Sequence, residues 1–142
     1  MLKPNDPAAL WAHSKPPSAD DIQGVAEQAY SALPVNFRRL CEGLIIHVDD
    51  FPDDETLNDM GAQTEFELLG LFRGRGLAHR SALDETGAMP NMIWLYRRPL
   101  LDYWCEGENT LSEVVTHVLV HEIGHHFGLS DEDMVEIEAS VP

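Results

Sequence analysis

His121-Glu122-Ile123-Gly124-His125-His126-Phe127-Gly128-Leu129-Ser130-Asp131 is the stretch on which the reading of this chain turns. Upstream of it, Thr110 and Glu113 stand at capping-box spacing, which predicts that a helix opens there. Val114, Val115, Val118, Leu119, Val120 and Ile123 then place apolar groups around most of its circumference. A helix apolar nearly all round is a buried one. Gly128 is predicted to end it, because glycine enters the left-handed C′ conformation without steric cost. The same helix carries His121, Glu122, His125 and His126, and burying that polarity without partners is expensive. A metal ion satisfies it directly.

The spacing suits zinc. Residues four apart on a helix lie about 40° apart around its axis, so His121 and His125 project side by side and can hold one Zn²⁺ through imidazole nitrogens. Glu122 lies about 60° from His125, within reach of a water on the metal without being a ligand itself. It fits the role of general base toward that water, whose pKa zinc lowers to roughly 7. A catalytic zinc usually takes three protein ligands and keeps a position for water. Gly128 lets the chain reverse, so Asp131 can return toward the metal as the third ligand. Glu136 and Glu138 are weaker candidates for the same place. His117, one turn before His121, reads as a partly solvated or hydrogen-bonded helix residue, with a supporting or alternative ligand role as the sharper option. His126 stands near Glu122 around the helix, to orient it, to bind product or to make a structural hydrogen bond.

Outward from the motif, residues 1–17 are rich in proline and polar groups and read as an arm, leaving residues 18–142 as one domain. Ser18 has the character of an N-cap, with Asp20 and Asp21 in the first turn of a helix running to about Leu33, where Pro34 stops it. Its buried face is Ile22, Val25, Ala26, Ala29 and Leu33. Residues 35–42 suggest a short helix ended by Gly43. Residues 44–48 follow as a buried strand, residues 53–60 as a turn or short helix, and residues 68–73 as a second strand. The last of these could also continue a helix from Glu65, although Gly70, Gly74 and Gly76 favour the strand. A loop at 84–90 leads to a third strand at 92–96, and Pro99 opens a short helix through Trp104. A last helix is expected over 132–139.

Composition narrows the classes. The chain has 142 residues, 44% of them hydrophobic, enough for a core at this size. Its net charge of −16, from 25 acidic against 9 basic residues, repels nucleic-acid phosphates and argues against that partner. No apolar run reaches the roughly 18 residues of a membrane span, and none near the start resembles a signal peptide. Cys41 and Cys105 are too few for a disulfide framework and read as reduced thiols. A soluble, cytoplasmic protein is expected.

Residues 121–131 resemble the zincin superfamily, in the metzincin-like variant with aspartate as third ligand that is also the pattern of snapalysin. With Trp94-Leu95-Tyr96-Arg97-Arg98-Pro99-Leu100-Leu101 upstream, the chain is most similar to the bacterial minimal zincin-like metallopeptidases, from about residue 20 onward. The resemblance implies a small α/β (α+β) domain with a mixed sheet and a buried active-site helix. It implies Zn²⁺ on His121, His125 and Asp131, Glu122 as catalytic base, and a peptide or protein substrate. It also implies a substrate-aligning edge strand, for which residues 93–97 are a candidate, although an ordinary core strand explains their apolar character equally well. Tyr96 and Tyr103 are candidates, by residue type alone, for stabilising the oxyanion. Metzincins place a methionine turn well beyond the third ligand, whereas Met134 follows Asp131 by three residues and reads as core. The alternative from another class is a non-hydrolytic zinc-binding or protein-interaction module on the same scaffold.

Overall fold

The hydrogen-bonding caps that the sequence carries decide where its helices begin. In the computed structural model, which describes residues 3, 5–74 and 90–142, Ser18 and Asp21 form a reciprocal capping box at the head of helix α2 (Ala19–Ser31). Ahead of it, α1 (Pro7–Ala12) is a short helix capped by Asp6, with none of its residues buried. Ile22, Ala26, Ala29 and Leu33 recur at helical spacing and are all buried, as the periodicity predicts. Pro34 then starts a short helix, α3 (Val35–Arg38), which tightens into a 3-10 turn over Arg39–Cys41. Gly43, at φ +72°, turns the chain into the sheet.

Among the described residues three strands make that sheet: β1 (Ile45–Asp49), β2 (Gly70–Arg73) and β3 (Met92–Tyr96), in the order β1-β3-β2. Strand β1 runs parallel to β3, pairing Ile45 with Met92, whereas β2 runs antiparallel to it, pairing Gly70 with Leu95. Two expectations change here. Residues 44–48 were expected to form a buried strand, but β1 is an edge strand with alternating exposure, and Ile45 is 46% exposed. Residues 93–97 cannot be a substrate-aligning edge strand, because β3 is central with both of its edges paired and Arg97 already belongs to a helix. The edge strand that packs on the motif helix is β2.

Alternation divides the sheet into two faces. Ile93, Leu95 and Phe72 turn to one side and join the core with α2 and the motif helix. Trp94, Tyr96, Leu71 and Arg73 turn to the other and line a cavity of about 320 Å³ under Phe51, Thr56 and the acids Asp49, Asp53 and Glu55. The short helix α4 (Asp54–Asp59), capped by Asp53, contributes Glu55 and Thr56 to that lining. Directly after β3, helix α5 (Arg97–Glu106) begins two residues before Pro99.

Helix α6 (Leu111–His126) opens on a capping box between Thr110 and Glu113 and ends at Phe127, with Gly128 at φ +77°. Helix α7 (Asp131–Ala139) follows after a short turn. The result is a mixed α/β domain whose core lies between the sheet and α2–α6. Among the described residues no helix is long and apolar enough to cross a membrane. Cys41 is buried and Cys105 exposed, and both are free thiols. The expected loop residues 84–89, with Gly76, lie outside the described residues.

The approach of α6 to the sheet depends on Gly70. A Cβ there would meet Val118 Cγ1 at 2.9 Å and the backbone oxygen of Trp94 at 3.0 Å. Backbone cannot step aside as a flexible side chain can. Gly70→Ala is therefore expected to destabilise the fold by about 1–3 kcal/mol, read as a lower urea midpoint with an unchanged m-value.

Candidate metal centre

The turn between α6 and α7 is specified almost atom by atom. Leu129 N–H donates to Gly124 O at 2.9 Å and Gly128 N–H to His125 O at 3.2 Å, the paired bonds of a Schellman ending. Ser130 then caps α7, its hydroxyl accepting from Asp133 N–H while Asp133 accepts from Ser130 N–H. These bonds send α7 back along α6. Asp131, its first residue, meets His125 near the end of α6, and Glu138, two turns on, meets His117 and His121 farther back. The two helices touch closely at Gly124, where an added Cβ would lie 2.6 Å from Met134 Sδ. Met134 is fully buried, which agrees with its reading as core.

Three imidazoles thus form a stripe along α6. The ring centroids of His117 and His121 are 4.0 Å apart, and those of His121 and His125 are 5.6 Å apart. On the facing side of α7, Glu138 Oε1 lies 2.9 Å from both His117 Nδ1 and His121 Nε2. At the other end, Asp131 Oδ1 lies 4.0 Å from His125 Nε2, and its side chain is 92% exposed. Burial, reinforced by the neighbouring His117, lowers the pKa of His121, against an opposing pull from Glu138. His121 is thereby biased toward the neutral form that a metal needs. Burial alone pushes the carboxyl of half-buried Glu122 up to about 7, close to the operating pH of a general base.

The profile of the zincin-like metallopeptidases matches residues 41–141, which takes in the sheet, α6 and α7. The chain belongs to that family. No curated protein matches the chain. Membership implies a metal, typically zinc, and a peptidase in general.

The donors of this zincin-like chain fit such an ion. Zinc bonds of 2.0–2.1 Å to nitrogen and oxygen in a tetrahedron set neighbouring donors about 3.3 Å apart. The 2.9 Å contacts of Glu138 with His117 and His121 lie close to that value, whereas the donors of His121, His125 and Asp131 do not all gather within 4.8 Å of one another and need larger side-chain shifts to share an ion. The chemistry fits too: imidazole nitrogen with carboxylate oxygen is a zinc set, while no thiol lies among the donors.

The predicted site residues do not all converge equally. His121 and His125 share one side of α6 and Asp131 stands beside His125, yet the donors gathered within 4.8 Å of one another are His117, His121 and Glu138. Glu138, ranked below Asp131 in the sequence, is the acid that touches His121. The spacing could have shown it: residues 131 and 138 are seven apart and share a face of α7, opposite histidines at intervals of four on α6. His126 turns its ring onto Phe72, with centroids 4.5 Å apart, and so faces the sheet. Tyr96 is removed as an oxyanion candidate. It points to the opposite face of the sheet, into the cavity lined by Asp49, Asp53 and Arg73, and burial raises its pKa to about 12. Tyr103 is exposed on α5. His47 is a surface residue whose Nε2 lies 3.0 Å from Asp49 Oδ1.

Proposed function

We propose that this chain is a zinc-dependent metallopeptidase in which His121, His125 and Asp131 hold the metal and Glu122 is the catalytic base. The observation that carries the reading is the meeting of Asp131 with His125 across the α6–α7 turn, on the same stripe as His121. Bound zinc would acidify water and polarise the scissile carbonyl. Glu122 removes a proton from the attacking water and delivers it to the leaving amine; its raised pKa suits both halves of that exchange. A buried carboxylate is poorly solvated, which makes it a better proton acceptor than an exposed one. The substrate is a peptide or protein segment. Among the described residues the outer edge of β2, which packs against α6, has no strand partner and is available to align it in extended form. Unpaired Cys41 and Cys105 support a cytoplasmic location, and the −16 charge supports the absence of a nucleic-acid partner.

A peptide library incubated with the zinc-loaded protein tests this. Cleavage by wild type, reduced about 100-fold or more in His125→Ala and Asp131→Asn, is the expected result. A zinc-loaded wild type that cleaves nothing across the library would replace the peptidase reading by the non-hydrolytic binding module. That second reading draws on one observation, the contact of Glu138 with His121, which gives His121 a partner outside the motif.

A further inference from the structure

We propose that His117 Nδ1, His121 Nε2 and Glu138 Oε1 form a second divalent-cation site, one helical turn along α6 from the motif set and mutually exclusive with it. The three atoms lie within 4.8 Å of one another, and they come from side chains that are neither fully exposed nor sealed from solvent. Glu138 Oε1 stands 2.9 Å from each nitrogen, so the carboxylate already occupies the place from which it would share an ion with both rings. The two rings lie 4.0 Å apart at 36°, near enough to parallel that small rotations aim both nitrogens at one point. Two imidazoles and one carboxylate select a borderline first-row ion such as Zn²⁺ or Co²⁺ over Ca²⁺ or Mg²⁺, which require mostly oxygen donors. Three protein ligands leave the fourth position for water.

Exclusivity follows from His121. A neutral imidazole has one nitrogen lone pair to give, the other nitrogen carrying its proton. His121 therefore serves the ion of Glu138 or the ion of Asp131, but not both. The acids stand on the same face of α7 two turns apart, so an ion moves between the sites by exchanging the partners on either side of His121 while His121 is retained. The existence of the second site is independent of the proposed peptidase chemistry, and only the exclusivity rests on the motif set.

Co²⁺ titration of the metal-free full-length chain, followed by visible absorption and by competition with a chelator of known affinity, tests the proposal. His125→Ala and Asp131→Asn, both at exposed positions, remove the motif set and are expected to keep one Co²⁺ per chain. Adding Glu138→Gln or His117→Ala to either should weaken Co²⁺ at least about tenfold, because a ligand is lost. Wild type should bind one ion, not two. Loss of all Co²⁺ binding in both His125→Ala and Asp131→Asn overturns the second site, as does a Co²⁺ affinity of His125→Ala that Glu138→Gln leaves unchanged. Two ions bound at once to wild type overturns the exclusivity. Failure of the motif reading is distinct: Glu138→Gln and His117→Ala, with His121, His125 and Asp131 intact, would then bind no ion. Circular dichroism of each variant checks that the helices persist.

Discussion

Glu122→Gln is expected to lower peptide hydrolysis by about 100- to 10,000-fold while leaving zinc stoichiometry unchanged. Glutamine keeps the size and polarity of the side chain but cannot accept the proton of the attacking water at neutral pH. Because Glu122 is not among the proposed ligands, metal analysis of the purified variant separates loss of chemistry from loss of the ion. Equal cleavage by the variant and wild type would remove Glu122 from the mechanism. The same substitution has a second readout in the metal-free protein. Burial raises the folded-state pKa of Glu122 from 4.5 to about 7, so the folded protein holds a proton between those values that the unfolded chain has released. The carboxylate therefore opposes folding, not at all well below pH 4.5 and fully above pH 7. Glu122→Gln removes that opposition. At pH 8 it should stabilise the metal-free fold by about 2 kcal/mol after allowance for partial exposure, and at pH 4 by almost nothing. Urea melts at the two pH values would show the difference.

Met134→Ala is expected to destabilise the domain by about 2–5 kcal/mol, a large share of the 5–15 kcal/mol typical of a small domain. Met134 is fully buried and its sulfur lies against Gly124, so truncation leaves a cavity between the two helices that carry the proposed metal ligands. The loss should extend beyond stability. With its main anchor gone, α7 no longer holds Asp131 and Glu138 in register with the histidine stripe, and zinc affinity should fall about tenfold or more. Gly124→Ala added to Met134→Ala restores part of both, since the new methyl group enters the vacated space and alanine favours the helix by about 1 kcal/mol over glycine. In the presence of Met134 the same methyl would collide with Sδ and Cγ. A chelator competition and a urea melt on the three variants measure the two effects separately, and full zinc affinity in Met134→Ala would show that α7 is positioned by other contacts.

How far the sequence reaches can be seen residue by residue. The capping boxes at Ser18 and Thr110 and the left-handed Gly128 are local chemistry, and each lies where its sequence context places it. Helix α7 starts one residue earlier than expected, at Asp131, because Ser130 supplies the cap. Strand order, in contrast, is a tertiary property. The apolar runs of β1 and β3 look alike in the sequence, yet β1 becomes an edge and β3 the centre because β2, between them in the chain, pairs on the far side of β3. The face toward which Tyr96 points depends on that assembly and on the alternation it imposes. In the candidate metal centre the side-by-side placement of His121 and His125 follows from their spacing, while the meeting of Glu138 with His117 and His121 depends also on α7 running back along α6.

That return of α7 has a thermodynamic consequence. Every candidate ligand lies within residues 117–138, and histidines four apart stay near one another even in a disordered chain. The unfolded protein therefore keeps some affinity for the ion, and whatever binds the unfolded chain is subtracted from what binding adds to the folded one. Loop closure over so short a segment is also inexpensive in entropy, whereas joining Ile45 to Met92 in the sheet closes a much longer one. Zinc bound at the proposed ligands would thus hold together the α6–α7 hairpin more than it would hold the domain. Chelation would loosen that hairpin locally and leave most of the free energy of the sheet and α2 in place.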